Sequence, residues 1–357
     1  MRAIIRYKLQ RLLVIIVYWI FVADLYVIVR YLHVGRFPQQ SELTYIIGFD
    51  HMLAQAAMLG LIIGTTLGSL ESFVYPKLLN SKSFLVNSIY RFAILMLLVI
   101  LAMVTILLVF YFNASTENLV AIANFLWSWS FLSLCLFISV ASITMDFILQ
   151  FDKRVGPGMI YNMMTGKYRH PREEDRIFMF LDLQSSSSIA ERLGHLKFSS
   201  LLQDCFRDLS GIVMEYNASI YQFVGDEAVL TWKTKHGLSS ANCLKVFFSF
   251  RNLLEAKSSA YLAKYDHCPI FKASLHMGKI TVAEVGELKS EVAYHGDVIN
   301  TASRVQDLCN YYHCPLLVTE EVANAFNGNN GYDVSFVAET PLKGKTNDVK
   351  IFTIEQK

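Results

Sequence analysis

The sequence predicts two parts of different fold class: an all-α bundle of four transmembrane helices, followed by an α+β domain. Three observations support this prediction. Residues 1–150 carry only 15 Lys, Arg, Asp and Glu side chains, whereas residues 151–357 carry 47. The first part contains four long apolar stretches, and the second alternates strand patterns with helix patterns. The expected boundaries are 1–150 for the transmembrane domain, 151–176 for a connecting segment and 177–357 for the α+β domain.

Each apolar stretch is long enough to cross the hydrocarbon core of a bilayer, which takes about 20 residues. The stretches are expected at about 12–32, 46–70, 92–112 and 119–149. The first is too long for a cleaved signal peptide and lacks a small-residue cleavage site. Lys and Arg are concentrated before the first stretch, between the second and third, and after the fourth. The positive-inside rule therefore predicts a multi-pass protein of the cell membrane, surrounded by lipid, with its N-terminus and its α+β domain in the cytoplasm.

Four ionisable residues lie within or beside these stretches, namely Asp24, Asp50, His51 and Asp146. An unpaired charge is costly in hydrocarbon, so these side chains are expected to face the bundle interior or an aqueous edge. They could form a sensor for a ligand, an ion or a proton, or they could serve in helix pairing and interfacial placement. Likewise, the connecting segment could transmit a change from the bundle or act as a passive spacer.

The net charge and the spacing of the cysteines exclude other classes of protein. The net charge is +2 and the second part has no basic block, so no electrostatic surface for nucleic acid is expected. The six cysteines show no CxxC spacing and no paired framework, which indicates a reducing compartment.

Apolar spacing in the second part predicts the order β-α-β-β-α-β, which is that of a ferredoxin-like domain. Further elements should follow it: a helix at about 299–309 and strands near Leu316, Val334 and Lys350. The core strands are expected at 177–183, 219–224, 227–232, 270–276 and 279–285, and the helices at 186–193, 196–216 and 239–264.

Two acidic residues mark a candidate metal site. Asp182 falls at the end of the first strand, and Asp226 falls at the tip of the following hairpin. If these strands are neighbours, both carboxylates reach one edge of the sheet. Two carboxylates together with substrate phosphates are the ligands that Mg²⁺ or Mn²⁺ sites usually employ. Alternatively, Asp182 caps the next helix and Asp226 only forms the turn.

Residues suited to phosphate and sugar follow. The segment GDVINTASR, residues 296–304, predicts a turn that opens a helix, with Asn300 and Arg304 one turn apart on one face. The guanidinium fork of Arg304 suits a phosphate, and Asn300 can hold a sugar. Lys343, beside a glycine in the segment LKGK, adds a cation for phosphate oxygens.

In this order, the motifs FLDLQSSSS, YQFVGDEAVLTW, FKASLHMGKITVAEVG, GDVINTASR and LKGK resemble the class III nucleotide cyclases, over residues 177–354. The resemblance implies a head-to-tail homodimer with active sites at its interface, and pairing of the transmembrane bundles is also expected. It implies that Asp182, Asp226 and the backbone carbonyl of Leu183 bind two Mg²⁺ or Mn²⁺ ions per site. It also implies that Asn300 orients the ribose, Arg304 stabilises charge on the α-phosphate and Lys343 holds the terminal phosphates.

The base-recognition positions depart from the family pattern. Adenylate cyclases commonly have Lys where this chain has Gln222, and Asp or Thr where it has Ala293, while guanylate cyclases favour Glu and Cys. Glutamine can bind either purine because it both donates and accepts hydrogen bonds. ATP is expected rather than GTP, because the guanine pair is missing. The alternatives are a guanylate cyclase and a catalytically silent receptor that binds nucleotide.

Overall fold

The computed structural model describes residues 2–34, 49–74, 86, 88–90, 92–97, 100–101, 128–156, 159–328 and 331–357. The chain divides into two compact units, made up mainly of Ile5–Val155 and Gly156–Lys357.

The first unit is helical. It contains α1 (Arg2–Val34), α2 (Phe49–Ser69), which continues as a π-helical turn through Leu70–Val74, and α3 (Trp129–Val155). Among the described residues, three helices are long and apolar enough to cross a membrane, and they correspond to the first, second and fourth predicted stretches. Their spans are Lys8–Leu32, Phe49–Val74 and Phe131–Asp152.

Most of the third predicted stretch, 92–112, lies outside the described residues, as does the beginning of the fourth; a shorter apolar helix covers Ser88–Leu97. Helix α3 continues to Val155, beyond residue 149, where the fourth apolar stretch was expected to end. The helix ends before Gly156, whose φ of +100° takes the backbone out of helical geometry.

Helices α1 and α2 contact each other through a row of glycines. Gly60, Gly64 and Gly68 are all buried and are spaced four residues apart, so they share one face of α2. A Cβ atom at Gly60 would lie 2.6 Å from Ile20 Cα, and one at Gly64 would lie 2.7 Å from Ile16 Cα. The two backbones therefore approach as closely as small residues allow in membrane helix pairs.

The ionisable residues of this unit differ in environment. Asp146 is buried, whereas Asp50 and His51 are exposed on the bundle surface. Glu71, which the sequence analysis did not single out, is also buried and forms an ion pair with Arg11 at 2.7 Å.

The second unit begins with a short helix, α4 (Met159–Met164), and contains one eight-stranded mixed sheet. Its strands are β1 (Arg172–Leu183), β2 (Ser219–Val224), β3 (Glu227–Lys233), β4 (Phe271–Val285), β5 (Glu291–His295), β6 (Leu316–Thr319), β7 (Tyr332–Thr340) and β8 (Val349–Gln356). Its helices are α5 (Ser186–Glu215), α6 (Thr234–Leu238), α7 (Asn242–Ala256), α8 (Ser258–Tyr265), α9 (Asp297–Tyr311) and α10 (Glu320–Phe326).

The strand order is β2-β3-β1-β4-β6-β8-β7, and β5 pairs with β4. β1 lies antiparallel to both β3 and β4, which confirms the ferredoxin-like order of the first four strands. The additional strands extend the sheet beyond β4, where β6 runs parallel to β4.

Side chains of β1 alternate between two cores, as the period of a strand requires. Ile177, Met179 and Leu181 join a core covered by α5 and α7, and Phe178 and Phe180 join a core covered by α9. All six cysteines are free, and Cys205, Cys243 and Cys309 are buried.

Several predicted boundaries in this unit were wrong. β1 begins at Arg172 instead of residue 177, because its charged first residues pair with β4 and Glu174 binds Arg176 at 2.7 Å. The strands predicted at 270–276 and 279–285 form one continuous strand, since β1 pairs with β4 along its length and Gly278 makes no turn. The helix predicted at 239–264 is divided in the structure. A 3₁₀ turn, Ser239–Ala241, precedes α7, and Lys257 separates α7 from α8.

The helices predicted at 186–193 and 196–216 meet at a kink at Gly194, where φ is +71° and ψ is 161°. Four elements of this unit were not predicted, namely α4, α6, β5 and α10.

Candidate active site

The two candidate metal-binding acids lie side by side at one edge of the sheet. Asp182 is the second-to-last residue of β1 and lies opposite Glu227 of β3. Asp226 is in the tight β2–β3 turn directly before Glu227, where Gly225 takes a φ of +61°. Burial raises the pKa of Asp182, and so do the negative charge of Asp226 and a hydrogen bond between the two carboxyl groups. The structure thus brings the two acids together, while their role as ligands stays a prediction.

Two residues that the sequence analysis missed contact Asp182. The amide Nε2 of Gln306 donates a hydrogen bond to Asp182 Oδ2 at 2.8 Å. The Nζ atom of Lys272, which lies opposite Asp182 on β4, is 3.2 Å from the same oxygen. Both residues are buried. A lysine within the largely apolar and buried start of β4 was the available sequence signal.

The edge is strongly negative. Burial raises the pKa of Glu227 to about 7, with further contributions from the charges of Asp182, Asp226 and Asp307, which Lys272 partly offsets. Such an edge favours a cation, and carboxylate oxygens are the donors that Mg²⁺ and Mn²⁺ prefer.

The donor set fits a divalent ion that retains other oxygen ligands. The described residues contain no group of three or more His, Cys, Asp or Glu side chains arranged to hold a metal. Two carboxylates still suffice where phosphates and water complete the coordination. Leu183 is the last residue of β1, so its backbone carbonyl lies next to Asp182 in the chain.

The candidate phosphate-binding residues form a second group. Arg304 lies on α9 with its guanidinium against Gly344, where an added Cβ atom would be 3.4 Å from Nη1. Lys343, beside Gly344, is exposed, and so is Asn300, one turn before Arg304. Helix α9 and the β7–β8 loop thus present these three side chains.

An ion pair fixes the loop to the start of α9. Lys345 of the loop pairs with Asp297, the first residue of the helix. Burial alone would raise the pKa of Asp297, but the hydrogen bond and charge of Lys345 lower it overall. A carboxylate at this end of a helix is also favoured by the helix dipole.

The two groups lie on different sides of α9. Gln306 contacts Asp182, whereas Arg304, two residues earlier, contacts the β7–β8 loop. Residues two apart on a helix are separated by about 200°. Within one chain, Arg304 is therefore directed away from the acid pair.

The base-recognition candidates lie on separate strands. Gln222 is exposed on the edge strand β2, next to an irregularity at Tyr221, and Ala293 pairs with Ala283 across β5 and β4. Their neighbours Tyr221 and Tyr294 are in contact, with ring centroids 4.8 Å apart.

Comparison with known proteins identifies the class that this fold and site define. Residues 169–356 match the adenylate and guanylate cyclase catalytic domain, and the chain belongs to this family. The chain is similar to adenylate cyclase 2 of Rhizobium meliloti, with 30% identity over 208 residues that cover 58% of this chain and 57% of the relative. It thus spans less than two thirds of that relative's length.

More distant similarity extends to retinal guanylyl cyclase 2 of Homo sapiens, with 23% identity over 207 residues that cover 56% of this chain and 18% of that protein. A bacterial light-regulated adenylyl cyclase shares the fold, with a TM-score of 0.54 and 17% identity over 64% of this chain and 67% of that one.

Proposed function

We propose that the protein is a membrane-bound adenylate cyclase that converts ATP to 3′,5′-cyclic AMP and pyrophosphate. The observation that carries the proposal is the placement of Asp182, near the end of β1, beside Asp226, in the β2–β3 turn, at a negative sheet edge. The family membership and the adenylate cyclase of Rhizobium meliloti support the reaction class.

In this reaction the ribose 3′ oxygen attacks the α-phosphorus in line, and the bond to the leaving pyrophosphate breaks. Bound Mg²⁺ or Mn²⁺, two ions per site, would supply activation of the attacking oxygen and neutralisation of the phosphates. Asp182, Asp226 and the Leu183 carbonyl would hold them. Asn300 orients the ribose, and Arg304 stabilises the charge that develops on the α-phosphate, because its fixed fork suits two oxygens. Lys343 binds the terminal phosphates.

Each active site is shared between two copies of the chain. The directions of Gln306 and Arg304 on α9 support this arrangement, because one chain presents its acids and its phosphate-binding group on different sides of the helix. A head-to-tail homodimer combines the acids of one copy with Asn300, Arg304 and Lys343 of the other. A monomer is then inactive, and the transmembrane bundles add to the dimer contact.

ATP is the favoured substrate. Gln222 is exposed on β2 and can donate and accept hydrogen bonds to a purine. Gln222 and Ala293 stand where a guanylate cyclase is expected to have Glu and Cys, so both of those residues are missing. GTP is the less favoured substrate.

The chain is anchored in the cell membrane by its first part, with the catalytic part in the cytoplasm. Three apolar helices and the distribution of Lys and Arg support this arrangement. We propose the division expected from the sequence, 1–150, 151–176 and 177–357, with the start of the catalytic domain moved to Arg172 so that it contains the whole of β1.

The test is a turnover assay of the purified full-length chain in lipid nanodiscs with Mn²⁺ and either ATP or GTP. We expect cyclic AMP from ATP and much less product from GTP. If a verified dimer forms neither cyclic nucleotide, the proposal is refuted. A mixture of D182N and R304A chains should regain activity in heterodimers that carry one intact site, whereas each variant alone should be inactive. Failure to regain activity would contradict the shared site.

A further inference from the structure

Two donors hold the Oδ2 oxygen of the Asp182 carboxylate. Oδ2 accepts a hydrogen bond of 2.8 Å from Gln306 Nε2 and lies 3.2 Å from Lys272 Nζ. The two donors come from different elements, since Lys272 is on the neighbouring strand β4 and Gln306 is on α9. A carboxylate fixed from two directions at one oxygen has little freedom to rotate.

Both donors are buried, with Lys272 9% exposed and Gln306 5% exposed. Burying an ammonium group is costly unless it is paired, and Asp182 is the ion-pair partner of Lys272. Gln306 is 124 residues from Asp182 along the chain, so its contact depends on the docking of α9 against the sheet.

We propose that Lys272 and Gln306 are positioning residues for metal binding. By occupying Oδ2, they orient Asp182 so that Oδ1 is the oxygen that binds the divalent ion beside Asp226. This inference rests on the proposed function, because it takes Asp182 as a ligand.

The chemistry of the two donors fits this role. Groups that hold a ligating side chain in place typically contribute 10–100-fold to metal affinity or activity. Gln306 is neutral, so it fixes Asp182 without adding charge to an edge that already holds Asp226, Glu227 and Asp307. Lys272 offsets part of the negative charge, which allows the two aspartates to lie together.

The experiment measures Mn²⁺ binding without turnover. The full-length dimer in nanodiscs is titrated with Mn²⁺ in the presence of an ATP analogue that lacks the 3′ hydroxyl, and free Mn²⁺ is followed by electron paramagnetic resonance. We expect Q306M and K272M each to raise the Kd for Mn²⁺ by roughly 10–100-fold. K272R, which keeps the charge and the donor, should stay within about threefold of wild type. Two exposed positions on the same elements serve as controls, in the variants K279M and N310L.

The K272M result separates a positioning role of Lys272 from simple electrostatic repulsion between its ammonium group and the bound Mn²⁺. Loss of a nearby cation would by itself strengthen Mn²⁺ binding, whereas loss of a positioning group weakens it. Tighter or unchanged binding in K272M, or unchanged binding in Q306M, would overturn the inference. Methionine has a side-chain volume similar to that of glutamine, so Q306M should not disturb packing. K272R provides a second variant at position 272 if K272M does not fold.

Failure of the inference is distinct from failure of the proposed function. Cyclic AMP formation with unchanged Mn²⁺ affinity in both variants would leave the cyclase assignment standing and remove the positioning role. If D182N binds Mn²⁺ as tightly as the wild-type chain does, Asp182 is not a ligand and the inference is overturned.

Discussion

The guanidinium group of Arg304 packs against the backbone of Gly344, where an added Cβ atom would lie 3.4 Å from Nη1. This contact joins α9 to the β7–β8 loop and so sets the position of Lys343 relative to Arg304. Gly344 has a φ of +81°, a conformation that side chains other than glycine rarely adopt.

We therefore expect G344A to shift the loop. A non-glycine residue at positive φ costs about 1–2 kcal/mol, which corresponds to roughly a tenfold loss in kcat/KM if the strain is relieved by moving Lys343 and Arg304. The measurement is steady-state kinetics with Mn²⁺ and ATP. The control is G328A, at another glycine of positive φ with nothing within 4 Å of its Cβ position. Wild-type kcat/KM in G344A would show that the contact does not position the loop.

Glu227 should make stability depend on pH. Its pKa is raised to about 7 because it is buried near Asp182, Asp226 and Asp307. A carboxyl group with a raised pKa in the folded state stabilises that state below the unfolded pKa, and this contribution is lost as pH rises from about 4.5 to about 7.

E227Q removes this dependence. Because Glu227 is partly exposed, we expect a gain of only about 1 kcal/mol at pH 8, or roughly 2–4 °C in Tm, and little gain at pH 5. Thermal unfolding in EDTA at both pH values measures the difference, with E287Q at an exposed position as control. An equal effect at pH 5 and pH 8 would contradict the assignment.

Arg176 should be important for stability. Its Nε and Nη2 atoms donate to Glu174 Oε2 at 2.9 and 2.7 Å, and its guanidinium lies 4.9 Å from the ring centroid of Tyr294. R176M leaves Glu174 without its arginine, although Tyr168 and Lys167 still contact it. Removal of one partner from a buried ion pair costs about 3 kcal/mol.

The measurement is thermal unfolding of the full-length chain, with R251M at an exposed arginine as control. The double variant E174Q/R176M should recover part of the loss, because it removes the unpaired charge. A double variant no more stable than R176M would mean that the ion pair is not the cause.

The glycine row of α2 gives a fourth prediction. G64L places a side chain where even a Cβ atom would be 2.7 Å from Ile16 Cα, so α1 and α2 must separate. Overpacking of this kind typically costs 1–3 kcal/mol. Loss of thermal stability in detergent is the readout, and T65L, at an exposed position one residue along, should have little effect. Equal losses in the two variants would argue against close packing at Gly64.

The fold was largely predictable because its central strands are nearly continuous apolar runs and its helices have clear apolar spacing. β5 was missed because Glu291–His295 is short and only partly buried. β4 was predicted as two strands because Gly278 interrupts its pattern shortly after His276. His276 is buried, and its Nδ1 atom lies 2.8 Å from Thr319 Oγ1. Pairing with β1 overrides the local signal.

The site was predictable to the extent that it follows from strand order. Asp182 and Asp226 could be placed together because one ends a strand and the other lies in the adjoining hairpin. Lys272 and Gln306 could not, because their contacts with Asp182 depend on strand register and on how α9 docks. These are properties of the folded chain that no local spacing encodes.

The buried cysteines have a practical consequence for labelling. Burial raises the pKa values of Cys205, Cys243 and Cys309 to about 12, so at neutral pH these three carry almost no thiolate, the form that reacts with maleimides. Alkylating probes would then report on Cys135, Cys268 and Cys314, which are more accessible. With those three replaced, a single cysteine introduced on the β7–β8 loop would be labelled by a fluorophore, while the three buried cysteines would stay unlabelled.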